Sequence, residues 1–435
     1  MEISSFHQNK NVTGMKNKNF IQISKIILPG LGLLMSLSMN AAAQSELQAY
    51  QDTAAAQNPT IQYLYKQYEA SLERIPQAKT LPDPVLGLGI FVSPVETRVG
   101  PQRGNISLSQ QFPWFGQLNA QEQAAVEKAK SDYMKMISVR TRINFEVAVN
   151  YYNYYILRSA ERIMQENITL LNTIKNLAGV KFASGTGSMV DVLQVEMELG
   201  ELENQLSFLN DSEAPLNQRF EELINAPLSG SVVFPQVLWE DTLSLPKDIM
   251  QDAIIINNPS LQGFDHQILA LNFEAVAADK AGAPSFNVGI NYIFVGEQNG
   301  VNIPDNGKDA ILLPVIGIRL PVYRKKYTAM VREKKLQQEA LQFNRTSTAN
   351  QLTSEMEKGY RDYLDAVRRV SLYTRLSEIA GQAQEILLTD YTTAATDFEE
   401  IIRMNRRQLK YELELEKARA ERNTAVAYLK YLMGN

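Results

Sequence analysis

The chain contains no cysteine. That excludes disulfides, thiolate nucleophiles, cysteine metal sites and an N-terminal lipid carried on a lipobox cysteine. Histidine is almost as scarce: only His7 and His266 occur, too few for most zinc sites or imidazole acid–base chemistry. Basic charge is not in excess, since 43 Lys and Arg against 48 Asp and Glu give a net charge of −5. Nucleic-acid binding needs a basic footprint and is not expected. Beyond the N-terminal region no apolar run approaches the ~20 residues of a membrane-spanning helix, so any entry into a membrane must be made by strands. There is no Gly-rich phosphate loop, no Ser/His/Asp set and no paired methionine motif of the kind a copper relay uses. No catalytic residue, metal site or cofactor is expected, and the chain does not read as an enzyme.

What is present begins with a secretory pattern. Lys16, Lys18 and Lys25 precede the apolar run from Ile26 to Met39, and Ala41-Ala42-Ala43 forms an A-x-A cleavage site. Residues 1–43 are expected to be a signal peptide, with Gln44 as the first mature residue and Met15 as an alternative start. His7 falls inside this segment. His266 then stands alone in an expected helix, where a structural role suits it.

The rest of the chain repeats itself. Pro113 and Pro321 are 208 residues apart, and at the same offset Leu108 aligns with Ile316, Tyr152 with Tyr360 and Tyr155 with Tyr363. One residue further out of phase, Phe182 aligns with Tyr391 and Met189 with Phe398. The first repeat is expected over 44–226, with strands at about 84–94 and 104–112 and long helices at about 116–178 and 188–226. A Pro- and Ser-rich linker covers 227–246. The second repeat is expected over 247–435, with strands at about 284–295 and 311–320 and helices at about 324–388 and 397–433.

Both kinds of element have clear signatures. In "ISLSQQF" Ile106, Leu108 and Phe112 share one face of an extended chain, while Ser107, Ser109 and Gln111 share the other. Phe286, Val288, Ile290, Tyr292 and Phe294 alternate with Ser285, Asn287, Gly289 and Asn291. In the first long helix Ile156, Ile163, Leu170 and Leu177 recur every seven residues, a coiled-coil stripe. A sixty-residue helix is about 90 Å long, far longer than a globular domain needs. Strands of this length and alternation suit a membrane barrel, and a bilayer tolerates no open sheet edge. Four strands are too few to close a wide barrel, but three chains supply twelve. The expected fold is therefore mainly α with a membrane β-barrel portion. Long coiled-coil helices form a helical barrel, and each chain adds four strands to a twelve-stranded barrel shared by a homotrimer. Pro113 and Pro321 mark the barrel-to-helix junction, where a residue without an N–H ends a strand and can start a helix.

At the helix breaks, Ser188 and Asp397 are placed to cap the helices that follow. Glu400 and Arg403, at i and i+3, read either as a gate or as a surface pair, and Asp191 has the same status. Tyr152 and Tyr155, in the cluster "YYNYY", are expected to pack.

The duplicated strand–loop–strand–Pro–long-helix pattern resembles the TolC-type outer-membrane efflux proteins. "LPDPVLGLGI" and "LSQQFPWFGQL" are similar to the branch that serves heavy-metal and related resistance pumps. "KFASGTGSMVDVLQ", Lys181 to Gln194, is similar to the family's helix-turn tip. The second tip, "DYTTAATDFEEIIRMN", departs from it: Ala394 stands where Gly is usual. The resemblance implies an outer-membrane homotrimer of a Gram-negative bacterium that extends into the periplasm and contacts outer-membrane lipid. It further implies docking to a periplasmic adaptor (membrane fusion) protein and, through it, an inner-membrane pump of the RND type. The docking tips would be Lys181, Phe182, Gly185 and Ser188 in the first repeat and Tyr391, Ala394 and Asp397 in the second. Asp191, Glu400 and Arg403 would be the periplasmic gate. The function so implied is a passive exit duct for small molecules or metal ions. A type I protein secretion duct has the same architecture, and a soluble periplasmic coiled-coil scaffold is the remaining alternative.

Overall fold

The computed structural model describes residues 44–228, 232, 234–300, 302–393 and 397–435. The signal-peptide expectation for 1–43 and the tip residue Ala394 lie outside the described residues. Three helices open the chain: α1 (44–57), α2 (Pro59–Leu72) and α3 (Arg74–Lys79). Strands β1 (Val85–Thr97) and β2 (Gly100–Phe112) follow, and then α4 (Gln117–Ala183) and α5 (Met189–Ile224). The second pass gives α6 (Lys247–Asn257), α7 (Pro259–Ala281), β3 (Ser285–Val295), β4 (Ala310–Arg319), α8 (Arg324–Thr393) and α9 (Phe398–Leu432). At 67 residues α4 is about 100 Å long. None of the described helices is long and apolar enough to cross a membrane.

The strands form one antiparallel meander, β1-β2-β3-β4. Its register sorts the side chains into two surfaces. Leu86 lies opposite Leu108, which lies opposite Ile290, and Leu88, Ile106 and Tyr292 form the next row. These residues, with Phe286 and Ile318, make a continuous apolar face, much of it open: Leu88 is 74% and Ile90 87% exposed. The other face carries Gly87, Ser107 and Asn291 in one row and Gln111, Asn287 and Gly317 in another. Asn105 donates to Asn291 across it at 3.0 Å. The glycines of β1 sit close under these polar groups: a Cβ on Gly89 would lie 2.2 Å from the Asn105 amide oxygen. Among the described residues the outer edges of β1 and β4 have no strand partner.

The two halves of the chain use the same tie in their helix packing. Asn58 and Asn258 are buried N-caps of α2 and α7, accepting from Thr60 N and Ser260 N. Each also donates its amide to a carbonyl at the far end of its repeat, Asn58 to Leu223 O and Asn258 to Leu432 O, both at 2.9 Å. The same asparagine thus caps one helix and ties it to the end of another.

The linker is not a loose connection. Phe234 and Trp239 pack into the aromatic cluster of Tyr151, Tyr152 and Tyr154, and Tyr155 accepts from Leu238 N at 3.0 Å. The seven-residue stripe also shifts in the structure. Ile163 is buried, but Ile156, Leu170 and Leu177 are only half-buried; Met164, Leu171, Ile174 and Ala178 form the covered line. The reason is that α4 packs against α5 and α9 together, so its buried face is wider than a two-helix seam. His266 donates or accepts at Glu127, 2.7 Å away, an interhelical contact between α7 and α4.

Candidate functional site: the junction and the helix tips

Two regions carry the expected functional residues. At the junction the structure brings Pro113 and Pro321 to the rim of one cavity of about 960 Å³, which Gln111, Ser285 and Arg319 of the polar sheet face also line. β2 ends at Phe112, and the chain turns through Trp114 and Gly116 into α4. Gly116 holds φ 80°, a left-handed conformation that a side chain would strain. The Trp114 ring stacks on Phe286 of β3 at 6.0 Å, so the turn is fixed to the sheet.

At the other end the two helix breaks lie together. Lys181 Nζ sits 4.4 Å from the centre of the Tyr391 ring, and Tyr391 donates its hydroxyl to Asp191 at 3.2 Å. Tyr391 also packs on Phe398 and is only 5% exposed. Burial, reinforced by Asp191, pushes its hydroxyl up to about 12, so it stays a donor throughout the physiological range. Lys181, expected at one tip, and Tyr391, expected at the other, therefore form a single contact with Asp191.

The caps follow the expected pattern. Ser188 accepts from Val190 N at 3.1 Å, with Asp191 reaching back to Ser188 N in a capping box, and Asp397 accepts from Glu399 N at 3.2 Å. Asp191 is thus engaged twice, and Glu400 is paired with Arg403. Neither acid stands free. Phe182 is about half exposed and Gly185, at φ 74°, projects where an added Cβ would meet nothing within 4 Å. The tip residue that sequence reasoning missed is Gly187. A Cβ there would lie 2.9 Å from Lys181 Cβ, because the Lys181 carbonyl accepts from both Thr186 N and Gly187 N in the turn. The "GTG" spacing carried that signal. The Asn58 and Asn258 ties were also missed, although "NPTIQ" and "NPSLQ" repeat around them.

Among the described residues no group of three or more His, Asp or Glu is placed to hold a metal ion.

The arrangement, an amphipathic four-stranded sheet with two free edges that passes into paired helices of about 100 Å, is that of outer-membrane channel proteins. Comparisons with known proteins agree. Residues 52–223 match the model of the outer membrane efflux protein family. A search of curated sequences returns no match. The fold is similar to that of CusC, with a TM-score of 0.75 at 13% identity over 90% of this chain and 92% of that one. It is similar to the outer-membrane channel OprN, with a TM-score of 0.72 at 15% identity over 90% of both chains. It is also similar to the outer membrane protein VceC of Vibrio cholerae, with a TM-score of 0.72 at 14% identity over 91% and 98%. The match to the outer membrane efflux protein family covers residues 52–223, and the fold of the chain is that of the TolC-type channels.

Proposed function

We propose that the protein is the outer-membrane channel of a tripartite efflux system. In this reading it is a passive duct through which small molecules or metal ions, handed over by an inner-membrane pump and a periplasmic adaptor, leave a Gram-negative cell. The observation that carries this reading is the sheet: one face is apolar and open, the other polar, and both edges lack partners. A bilayer accepts such a sheet only if its edges are closed by other copies. The second long helix supports three-fold assembly. From Arg324 to Gln351 α8 has no buried side chain, yet it shows Met330, Leu336 and Phe343, the last 77% exposed. A neighbouring copy would cover that surface, giving twelve strands and a helical tube that reaches into the periplasm.

The joined tips, Lys181, Phe182, Gly185, Ser188, Tyr391 and Asp397, are the end of the tube that faces the adaptor in this reading. Because Tyr391 is buried, the adaptor-facing side chains would be Phe182 and the turn 184–188, with Tyr391 holding the two hairpins in register. Asp191 belongs to that brace, and Glu400 with Arg403 to the helix surface.

Reconstitution into a planar bilayer tests the duct. Steady ohmic conductance from the detergent-stable oligomer is expected, whereas a protein that stays in the soluble fraction and conducts nothing would favour the scaffold. Cargo is read from a deletion strain: retention of a metal or drug supports efflux, and retention of a secreted protein overturns it in favour of secretion. For the tip, Gly185→Trp should leave oligomer abundance unchanged and abolish export. Normal export at normal abundance would remove this tip from the docking surface.

A further inference from the structure

The two junctions differ sharply in charge. From Arg319 to Lys335 the second repeat carries Arg319, Arg324, Lys325, Lys326, Arg332, Lys334 and Lys335 against Glu333 alone. The corresponding stretch of the first repeat, 111–127, has Glu122 and Glu127 and no cation. At the repeat offset of 208, Arg324, Thr328, Arg332 and Lys335 correspond to Gly116, Ala120, Ala124 and Glu127, of which the last three are buried between helices. The helix as such does not require the cations.

Their placement is specific. Arg324, Thr328, Arg332 and Lys335 follow at i, i+4, i+8 and i+11, so they share one stripe of α8. They line a groove of about 380 Å³ between the start of α8 and the end of α7, closed by Gly282 and Asp279. Arg324 donates to Gly282 O at 2.9 Å, which fixes its guanidinium across the groove. Among the described residues, none of the three cations forms an ion pair, whereas Lys334 on another face is held by Glu274 at 2.9 Å. Lys326 and Met330 lie roughly half a turn away and line the cavity on the polar side of the sheet with Arg319, Gln111 and Ser285. Tyr327 lines both, so the groove and that cavity flank one contact of α8, and the groove shares no residue with the polar sheet face. Just before the groove's α8 residues in the chain Ile318, Leu320, Val322 and Tyr323 are exposed, Tyr323 at 80%. An apolar band, an exposed tyrosine and then unpaired cations is the order in which a membrane surface presents hydrocarbon, interface and headgroups.

We infer that this groove binds the phosphate headgroup of an anionic phospholipid in the leaflet nearest the helices, one per chain. The site rests on the membrane-channel reading above. Arg332 and Lys335 contact the phosphate, Thr328 offers a hydroxyl, and Arg324 is the positioned floor. The first repeat, with Gly116, Ala120, Ala124 and Glu127 at these places, has no such site.

The test uses the purified oligomer incorporated into vesicles of phosphatidylcholine with or without phosphatidylglycerol, then extracted and weighed by native mass spectrometry. The wild type should retain phosphatidylglycerol in preference to phosphatidylcholine. R332Q/K335Q should hold it about thirtyfold more weakly, since each cation near an anionic surface contributes roughly a fivefold gain in binding. A control, K135Q/K358Q, removes two exposed cations elsewhere and should retain lipid as the wild type does. Equal retention in all three proteins overturns the site, as does displacement of the lipid by inorganic phosphate at matched concentration. Loss of the oligomer in R332Q/K335Q alone would place the stripe against a neighbouring copy and also overturn it. Conductance is recorded on each preparation: if it persists without lipid preference, the site fails and the channel stands, and if no preparation conducts, both fail.

Discussion

The helices α4 and α8 follow the strand pairs of the two halves of the chain and have nearly the same length, 67 and 70 residues, but their surroundings differ. Buried residues run along all of α4, from Ala120 to Ala178, with a tyrosine cluster at its middle. In α8 the first buried residue is Leu352, about 42 Å along the helix from its start. The start of α8 offers surface where the start of α4 is packed inside the protomer. Where the repeats remain alike, at Asn58 and Asn258, the likeness serves the protomer's own packing. Where they have parted, at Phe343 against Lys135 or Arg332 against Ala124, the residue of the second half is exposed.

The largest expected effect comes from breaking the sheet's two-faced character. Ile316 lies opposite Val288 on the apolar face, and Lys there should abolish assembly, because a charge near mid-bilayer costs roughly 2–4 kcal/mol in every copy. Lys at Gly317, on the polar face with only Asn287 Cβ nearby at 3.5 Å, should assemble. Heat-modifiable mobility on gels separates the two variants, and equal loss in both would invert the face assignment. Next in size, Phe343→Asp should cut oligomer yield tenfold or more while the protomer keeps its helical circular dichroism, as expected for an interface anchor. Asp at Lys135, its counterpart in α4, should change neither quantity. Unchanged oligomer in Phe343→Asp would mean that α8 does not face a neighbour.

Asn58→Ala and Asn258→Ala sharpen the likeness instead. Each removes a cap and leaves a buried carbonyl unpaired, so each should lower stability by about 1–3 kcal/mol and by similar amounts. Denaturation of the two variants checks this; a large effect from one and none from the other would show that the ties are not equivalent. The smallest effect concerns Glu412 of α9, whose carboxyl is held above its ordinary range by burial, against the bond it accepts from Gln408 at 3.1 Å. Between the unfolded value and the raised folded value the native state binds the extra proton, so stability should fall as pH rises through that window. Glu412→Gln should flatten this slope, and an unaltered slope would exclude Glu412 as its source.

Much of this was legible in the sequence because periodicity and duplication report directly on burial. Strand alternation around Leu108 and Ile290 located the apolar face, and the prolines located the junction. Helix breaks at Ser188 and Asp397 were readable because caps are local chemistry. What was not legible depends on packing between distant segments. The heptad at Ile156, Leu170 and Leu177 pointed along one seam, but α4 meets two helices. The linker looked like a spacer until Trp239 and Phe234 were seen against the tyrosines. Tyr391 looked like a tip residue because nothing in its own segment shows that Lys181 and Asp191, some two hundred residues earlier, enclose it.

In the proposed assembly one chain supplies a third of a closed barrel, with β1 of each copy meeting β4 of the next. The absence of native cysteine allows a direct measurement. Single cysteines placed through Leu86–Ile90 are combined with single cysteines through Ile311–Ile318, and the protein is oxidised in membranes. The account requires a register of pairs that gives covalent dimers and trimers and stops at three chains. Cross-links confined within one chain, none at all, or a ladder continuing beyond three would contradict it.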